Sequence, residues 1–239
     1  MANLTGADRA RYVQDMFSRI ADRYDLMNRV MTMGQDGRWR RSVIHRAGLP
    51  PGGWLLDLGA GTGDLARQAL LQQPSGRAVA ADFTLEMMRI GQSRSPAPSH
   101  RLFWSAADAV CLPFPKDAFD AVVSGFLLRN VNDLRRSLGE QYRVLKPGGW
   151  LVALDTSPPP RTPLAPFIRF HLHYLIPSLG WLITGHADAY RYLPDTTESF
   201  LEPERLAVRL VEAGFQAVGF QRWMFGTISV HWGRKPFAG

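Results

Sequence analysis

Residues 55–64, LLDLGAGTGD, carry an apolar strand-like run straight into glycines at 59, 61 and 63 and then into the first turn of a helical pattern. Glycine adopts backbone conformations closed to other residues and leaves the main chain bare, so a ligand can lie directly on such a turn. Outward from this point the chain repeats one grammar. Strand-like runs are expected at 54–58, 77–82, 102–105, 119–124 and 150–156, with helices at 64–72, 85–91 and 131–145 between them. Short apolar runs joined by helical crossovers predict an α/β fold: a mostly parallel sheet with helices on both faces, binding ligands at the carboxyl ends of its strands. A helix over 203–213 and strand-like runs near 217–223 and 227–232 predict a closing antiparallel hairpin, which brings the expected sheet to seven strands.

Before the core, Val13, Met16, Phe17, Ile20, Tyr24, Met27 and Met31 recur at helical spacing, so one amphipathic helix is expected over 7–33. A second helix over 35–47 carries Arg38, Arg40, Arg41 and Arg46 and stops at Gly48. Beyond the fifth strand, half of residues 157–166 are proline, and the regular alternation ends there. Residues 167–183, FIRFHLHYLIPSLGWLI, form the most apolar stretch, interrupted by Arg169, His171, His173, Pro177 and Gly180. This pattern does not span a membrane. It reads either as a core helix broken at Pro177 or as the lip of a tunnel for a greasy substrate that also rests on a membrane surface. The expected organisation is a single domain over 1–239, with a helical cap at 1–48, a cofactor-binding core at 49–157, an apolar substrate cap at 158–200, and the closing helix and hairpin at 201–239.

The 239 residues include one cysteine, Cys111, which excludes an intrachain disulfide framework and a cysteine-cluster zinc site. A reducing, cytoplasmic setting is expected, with no leading secretory or transit signal. The formal net charge is +7, and of 28 basic residues only Lys116, Lys146 and Lys235 are lysines. Arginine favours phosphate and carboxylate partners, so nucleic acid and anionic membrane both fit, as does a compositional bias without function.

The neighbours of the glycine turn narrow its ligand. A pyrophosphate needs a helix N-terminus free of competing negative charge, whereas Asp57 ends the strand and Asp64 opens the helix. Two carboxylates favour a cation, and the cofactor combining a sulfonium, an ammonium and an adenosine is S-adenosylmethionine. Asp82 stands 19 residues after Gly63, where an acid accepts hydrogen bonds from ribose hydroxyls. Asp108 with the Ala109 backbone is placed to read an adenine edge, and Ser124 to face the methionine half. The expected cofactor site is therefore Asp57, Gly59, Gly61, Thr62, Gly63, Asp82, Asp108, Ala109 and Ser124, with no metal.

The segments FSRIADRYDLMN (17–28), LDLGAGTGDLA (56–66), DAVCLPFPKDAFDAV (108–122), LRNVND (128–133), YRVLKPGG (142–149), AYRYLPDTTESF (189–200) and GTISVHWGRK (226–235) are similar to the C-methyltransferases of menaquinone and ubiquinone biosynthesis. These belong to the Rossmann-like class I S-adenosylmethionine-dependent methyltransferases. YDxMN, LRNV and YRYLP are the selective parts, whereas the glycine turn and KPGG are widely shared. The resemblance implies methyl transfer to a ring carbon of a polyprenyl quinol, most simply demethylmenaquinol to menaquinol. The alternatives are a 2-polyprenyl-6-methoxybenzoquinol of ubiquinone biosynthesis or a small aromatic metabolite. It places the cofactor at Thr62, Asp82, Asp108, Ala109 and Ser124. Asp155 stands where many members have Glu, and Thr196 replaces a usual Ser.

A ring carbon becomes a nucleophile only as a neighbouring hydroxyl loses its proton, so the protein must stabilise a phenolate. Arg129 and Asn130, beyond the fourth strand, are the expected stabilisers, an assignment the resemblance shares. Arginine hardly deprotonates and acts by charge. His231 is the candidate proton acceptor and Tyr24 a candidate lid. A pair with Asp133, four residues on, is the structural alternative for Arg129. An RNA methyltransferase is disfavoured: Ser124-Gly125-Phe126-Leu127 stands where an N/D-P-P-Y/F motif would follow the fourth strand, and Cys111 is not in a Pro-Cys pair. The expected partners are a polyprenyl quinol and, peripherally, an anionic membrane surface. Nucleic acid is not expected, and homodimerisation is left open.

Overall fold

The computed structural model describes residues 6–94, 100–160, 162–184 and 187–237, with the side chains of 6–10, 22, 24 and 183–192 outside that description. Strands β1 (Trp54–Leu58), β2 (Arg77–Asp82), β3 (Leu102–Ala106), β4 (Phe119–Gly125), β5 (Leu145–Thr156), β6 (Gln216–Trp223) and β7 (Ile228–Arg234) form one sheet in the order β3-β2-β1-β4-β5-β7-β6. The first five pair in parallel, and β7 runs antiparallel between β5 and β6. The expected α/β architecture with its closing hairpin is thus the observed one. The strand order reverses at β1, so the glycine turn after Leu58 opens at the crevice between β1 and β4, where ligands of such sheets bind.

Alternate side chains of the central strands feed two cores, which is why these strands read as unbroken apolar runs. Leu55, Val123, Val152 and Val230 pack against Trp39 and Val43 of α3 (Asp36–Ala47) and Leu65 and Leu70 of α4 (Asp64–Gln72). Leu56, Leu58, Val122 and Leu151 meet Leu138 of α6 (Leu134–Val144) and Leu206 and Leu210 of α10 (Pro203–Glu212) on the other face. Helix α5 (Leu85–Ser93) follows β2.

Three departures from the sequence reading bear on the site. The expected helix over 7–33 is two, α1 (Gly6–Ile20) and α2 (Tyr24–Met31), joined by a 3-10 turn at Ala21–Arg23. The bend lets α1 cross α5 while Met27 joins Met16 and Ile20 in one cluster with Leu172 and Ile176. The apolar stretch is not broken at Pro177. It runs as α7 (Ala165–Phe170), a π-helical turn (His171–Leu175) and α8 (Ile176–Thr184), and the widened turn accommodates the missing proline N–H. Helix α9 (Ala187–Ser199), with Pro194 inside it, completes this layer. Finally, α6 starts at Leu134 rather than 131, because the Asp133 carboxylate accepts the Arg136 N–H at 2.9 Å as an N-cap.

Candidate active site

The glycine turn is built by sterics. Gly59 has φ +67°, and a Cβ there would stand 2.8 Å from Leu127 Cδ1; Gly63 has φ +83°, and its Cβ would stand 2.6 Å from Trp104 Cη2. Neither position admits a side chain without displacing a core residue. The turn is tied down by Asp82, whose Oδ2 accepts the Gly61 N–H at 2.7 Å and whose Oδ1 accepts the Thr84 N–H at 2.7 Å. Each carboxylate oxygen keeps accepting capacity.

Above these strand ends lies a cleft of about 130 Å³, lined by Gly59, Gly61, Asp82, Asp108, Ala109 and Asn130 among others. Its roof is Val13, Gln14 and Phe17 of α1, held down by Gln14 Nε2 donating to the Phe83 carbonyl at 3.1 Å and Ser18 Oγ donating to Glu86 at 3.1 Å. The described lining contains two aspartates and no lysine or arginine. That charge pattern suits a cationic ligand and opposes a pyrophosphate. A Cβ at Gly61 would come within 3.2 Å of Met87 Cε, so this glycine keeps the floor open.

A second cavity, of about 350 Å³, adjoins the cleft; Phe17 and Phe126 line both. Its wall is mostly apolar and comes from α1, α2, α7, the π turn and α8, with Ile228 and Thr156 from the sheet. The turn after β4 serves both spaces, because consecutive residues diverge: Asn130 lines the cleft and Arg129 lines the apolar cavity. Phe126 is held in the left-handed region at φ +60°, a strained conformation for an aromatic residue. Its N–H donates to the Leu154 carbonyl at 2.7 Å and its carbonyl accepts from Asn130 Nδ2 at 3.0 Å.

Arg129 is 8% exposed and Asp155 fully buried. Asp155 Oδ1 accepts from Arg129 Nη1 at 2.6 Å and from the Thr156 N–H at 2.8 Å, and Oδ2 accepts the Arg129 N–H at 3.2 Å. One carboxylate thus fixes both the main chain and the guanidinium of Arg129. Asp133, the sequence-based partner, caps α6 instead.

The sequence profile of the ubiE/COQ5 methyltransferase family matches residues 5–235. The chain belongs to that family. It is 46% identical over 93% of its length to a ubiquinone/menaquinone biosynthesis C-methyltransferase of Desulfotalea psychrophila, 90% of which is covered. It is 42% identical over 92% of its length to a demethylmenaquinone methyltransferase of Thermus thermophilus, covered completely. Among solved structures, the [4+2]-cyclase SpnF superposes with a TM-score of 0.70 at 18% identity, covering 95% of this chain and 96% of that one. A Haemonchus contortus phosphoethanolamine N-methyltransferase does so with 0.64 at 16%, covering 83% and 52%. At such identities these two speak to the fold alone.

In this methyltransferase the remaining expected site residues lie as follows. Thr62 is buried and its Oγ1 donates to Asp25 of α2, at 3.1 and 3.2 Å to the two carboxylate oxygens, and so turns away from the cleft; Arg94 also pairs with Asp25. Ser124 is fully buried beneath the cleft, and its neighbour Gly125 lines it. Asp64 is paired with Arg40 at 2.9 Å and does not line the cleft, so the cation preference rests on Asp82 and Asp108 rather than on Asp57 with Asp64. The side chain of Tyr24 lies outside the described residues. His231 is corrected as proton acceptor. Its register opposite Ala153 turns it into the core, where Nε2 meets the Pro203 carbonyl at 2.9 Å and the ring stacks on Phe220. Burial lowers its pKa, and it lines neither cavity.

Asp57 is wholly buried, with Oδ2 accepting the Ala66 N–H of α4 at 2.9 Å and Oδ1 lacking a protein partner among the described residues. Burial pushes its pKa up to about 7, against the Ala66 hydrogen bond and helped by the charges of Asp64 and Asp82. The folded state therefore holds a proton that the unfolded chain has lost between roughly pH 4 and 7. Stability conferred at low pH must fall as pH rises through that window, by an amount on the order of 4 kcal/mol for this group. Asp82, also raised by burial, adds the same sign. Denaturant titrations of the ligand-free protein at pH 5 and pH 8 should show this decline, and Asp57→Asn should flatten it; an unchanged slope in the variant would refute the assignment.

Proposed function

We propose that this protein transfers a methyl group from S-adenosylmethionine to a ring carbon of a polyprenyl quinol, with demethylmenaquinol as the substrate and a ubiquinone-type benzoquinol as the alternative ring. The observation that carries the reading is the junction at Phe17 and Phe126, which line both an acid-lined cleft at the strand ends and an apolar cavity with Arg129 in its wall. The names of the two relatives reported above favour the same chemistry.

When bound, S-adenosylmethionine supplies an electrophilic methyl carried by a sulfonium. Asp82 would accept the ribose hydroxyls, Asp108 and the Ala109 backbone would border the adenine, and the bare backbone at Gly59 and Gly61 would carry the methionine half. The roof on α1 would cover the bound cofactor. Arg129, locked by Asp155, offers a fixed positive group to the oxygen that becomes a phenolate; because the guanidinium is already oriented, no reorganisation is needed as charge develops. Asn130 holds the Phe126 carbonyl and so fixes the strained turn separating the two ligands.

The mouth of the apolar cavity carries exposed Met33, Leu164, Phe167 and Phe225, and the outer face of the α7 to α8 layer exposes Phe170, Tyr174, Trp181 and Leu182. An apolar surface of this kind, continuous with a greasy cavity, suits a protein resting on a bilayer from which a prenyl tail enters. Among the described residues no helix is long and apolar enough to cross a membrane. Replacing Phe167 and Phe225 together by Asp should weaken co-sedimentation with anionic vesicles about tenfold or more and raise KM for long-tailed quinols more than for tail-less ones. Equal effects on both substrates would count against entry from the bilayer.

The reading is tested by incubating purified protein with methyl-labelled S-adenosylmethionine and either reduced demethylmenaquinone or the benzoquinol. Label in the naphthoquinol is expected; no labelled lipid from either, under conditions where the cofactor binds, would end the proposal.

A further inference from the structure

The apolar cavity needs a group that takes the hydroxyl proton, and its described lining contains only two titratable side chains, Arg129 and His171. Arginine keeps its proton in proteins and here is committed to Asp155. Asp155 stands behind Arg129 and does not line the cavity, and His231 is enclosed in the core. His171 has none of these commitments. It opens the π-helical turn between α7 and α8, lines the cavity, and its Nε2 is buried without a hydrogen-bond partner among the described residues. Two residues on, His173 faces outward and meets Glu198 at 3.1 Å, so the two histidines that interrupt the apolar stretch have separate fates. A buried imidazole nitrogen left unpaired in an apolar wall costs free energy unless a ligand completes it. The π turn widens the helix at this residue, a distortion that recurs at functional sites.

We infer that His171 is a catalytic residue of the quinol reaction, its imidazole accepting the hydroxyl proton of the bound ring. The inference rests on the quinol reading above. A neutral imidazole carries one nitrogen that accepts a proton. The quinol O–H bond breaks, an N–H bond forms on the imidazole, and the bonding pair stays on oxygen, where it is delocalised into the ring and becomes the pair used for the new carbon–carbon bond. Arg129 steadies the oxygen while it carries that charge. After methyl transfer the ring carbon loses its hydrogen as a proton to water and the imidazolium returns its own to the oxygen. His171 thus ends each turnover neutral, and one proton is released.

The test begins with wild-type turnover on demethylmenaquinol, which decides the quinol reading by itself. With that activity in hand, His171→Gln and His171→Ala should lower kcat about 10²–10⁴-fold, the span of a positioned general base, while the quinol KM and S-adenosylmethionine binding hold near wild type. Added imidazole should restore part of the His171→Ala rate. A halogenated, more acidic quinol should lose less rate to either substitution than the parent does. Wild-type activity with fully active His171 variants overturns the role of His171 and leaves the quinol reading standing. So does a loss confined to KM, or one equally large for the acidic quinol and not rescued by imidazole, since either would mark packing rather than proton transfer.

Discussion

Arg129→Ala is expected to lower quinol turnover about 10²–10³-fold, the cost of removing one oriented donor from a developing oxyanion, while S-adenosylmethionine binds almost as before. The two effects separate because Arg129 lines the apolar cavity and Asn130, not Arg129, lines the cleft. The substitution also leaves Asp155 buried without its cation, which should reduce unfolding stability by about 3–5 kcal/mol. A companion variant, Arg129→Met with Asp155→Asn, removes both charges and keeps one side-chain oxygen, enough for one of the two N–H groups, of residues 129 and 156, that the carboxylate accepts at separate oxygens. It should recover part of the stability and none of the turnover. Calorimetry, denaturant titration and steady-state kinetics together check this; loss of cofactor binding in Arg129→Ala would show the division between cavities to be wrong.

Asp82→Ala should weaken S-adenosylmethionine binding about 10²-fold, since hydrogen bonds to a charged acceptor contribute about 1.5–3 kcal/mol each. The same carboxylate accepts the Gly61 and Thr84 N–H groups, so its removal also loosens the turn on which the cofactor rests. Asp82→Asn, which keeps an acceptor, should lose less. Isothermal titration of both variants measures the difference. A cofactor affinity in Asp82→Ala equal to wild type would remove Asp82 from the site.

The fold was legible because its signals are local. Apolar runs between helical stretches mark strands whichever partners they find, and the glycine turn requires bare backbone whatever occupies the cleft. Gly59, Gly61, Asp82, Asp108 and Ala109 could be placed in one cleft because each stands at or just beyond a strand end on the same side of a parallel sheet. Side-chain direction was less accessible. Thr62 stands within the same turn yet points to Asp25, 37 residues earlier in the chain, and Ser124, one residue before the end of its strand, is buried in the core. Helical spacing suggested Asp133 for Arg129, but α6 begins too late for that pair and the partner is Asp155 on the adjacent strand. His231 looked suitable on titration chemistry alone, which takes no account of burial by α10. His171 reads in sequence as an interruption of an apolar run; only the packing of α1, α2 and α8 around one cavity distinguishes it from His173. The net charge likewise hid a division, between arginines largely outside the cleft and a cleft whose described charged lining is Asp82 and Asp108.

The central claim is that the methyl group passes from the acid-lined cleft to a ring carbon held in the apolar cavity. It is tested most directly by a single turnover with ¹³C-methyl-labelled S-adenosylmethionine and reduced demethylmenaquinone, the lipid product being analysed by NMR. The account predicts all of the label on the ring carbon. Label on a quinol oxygen, or a lipid left unlabelled by protein saturated with cofactor, would contradict it.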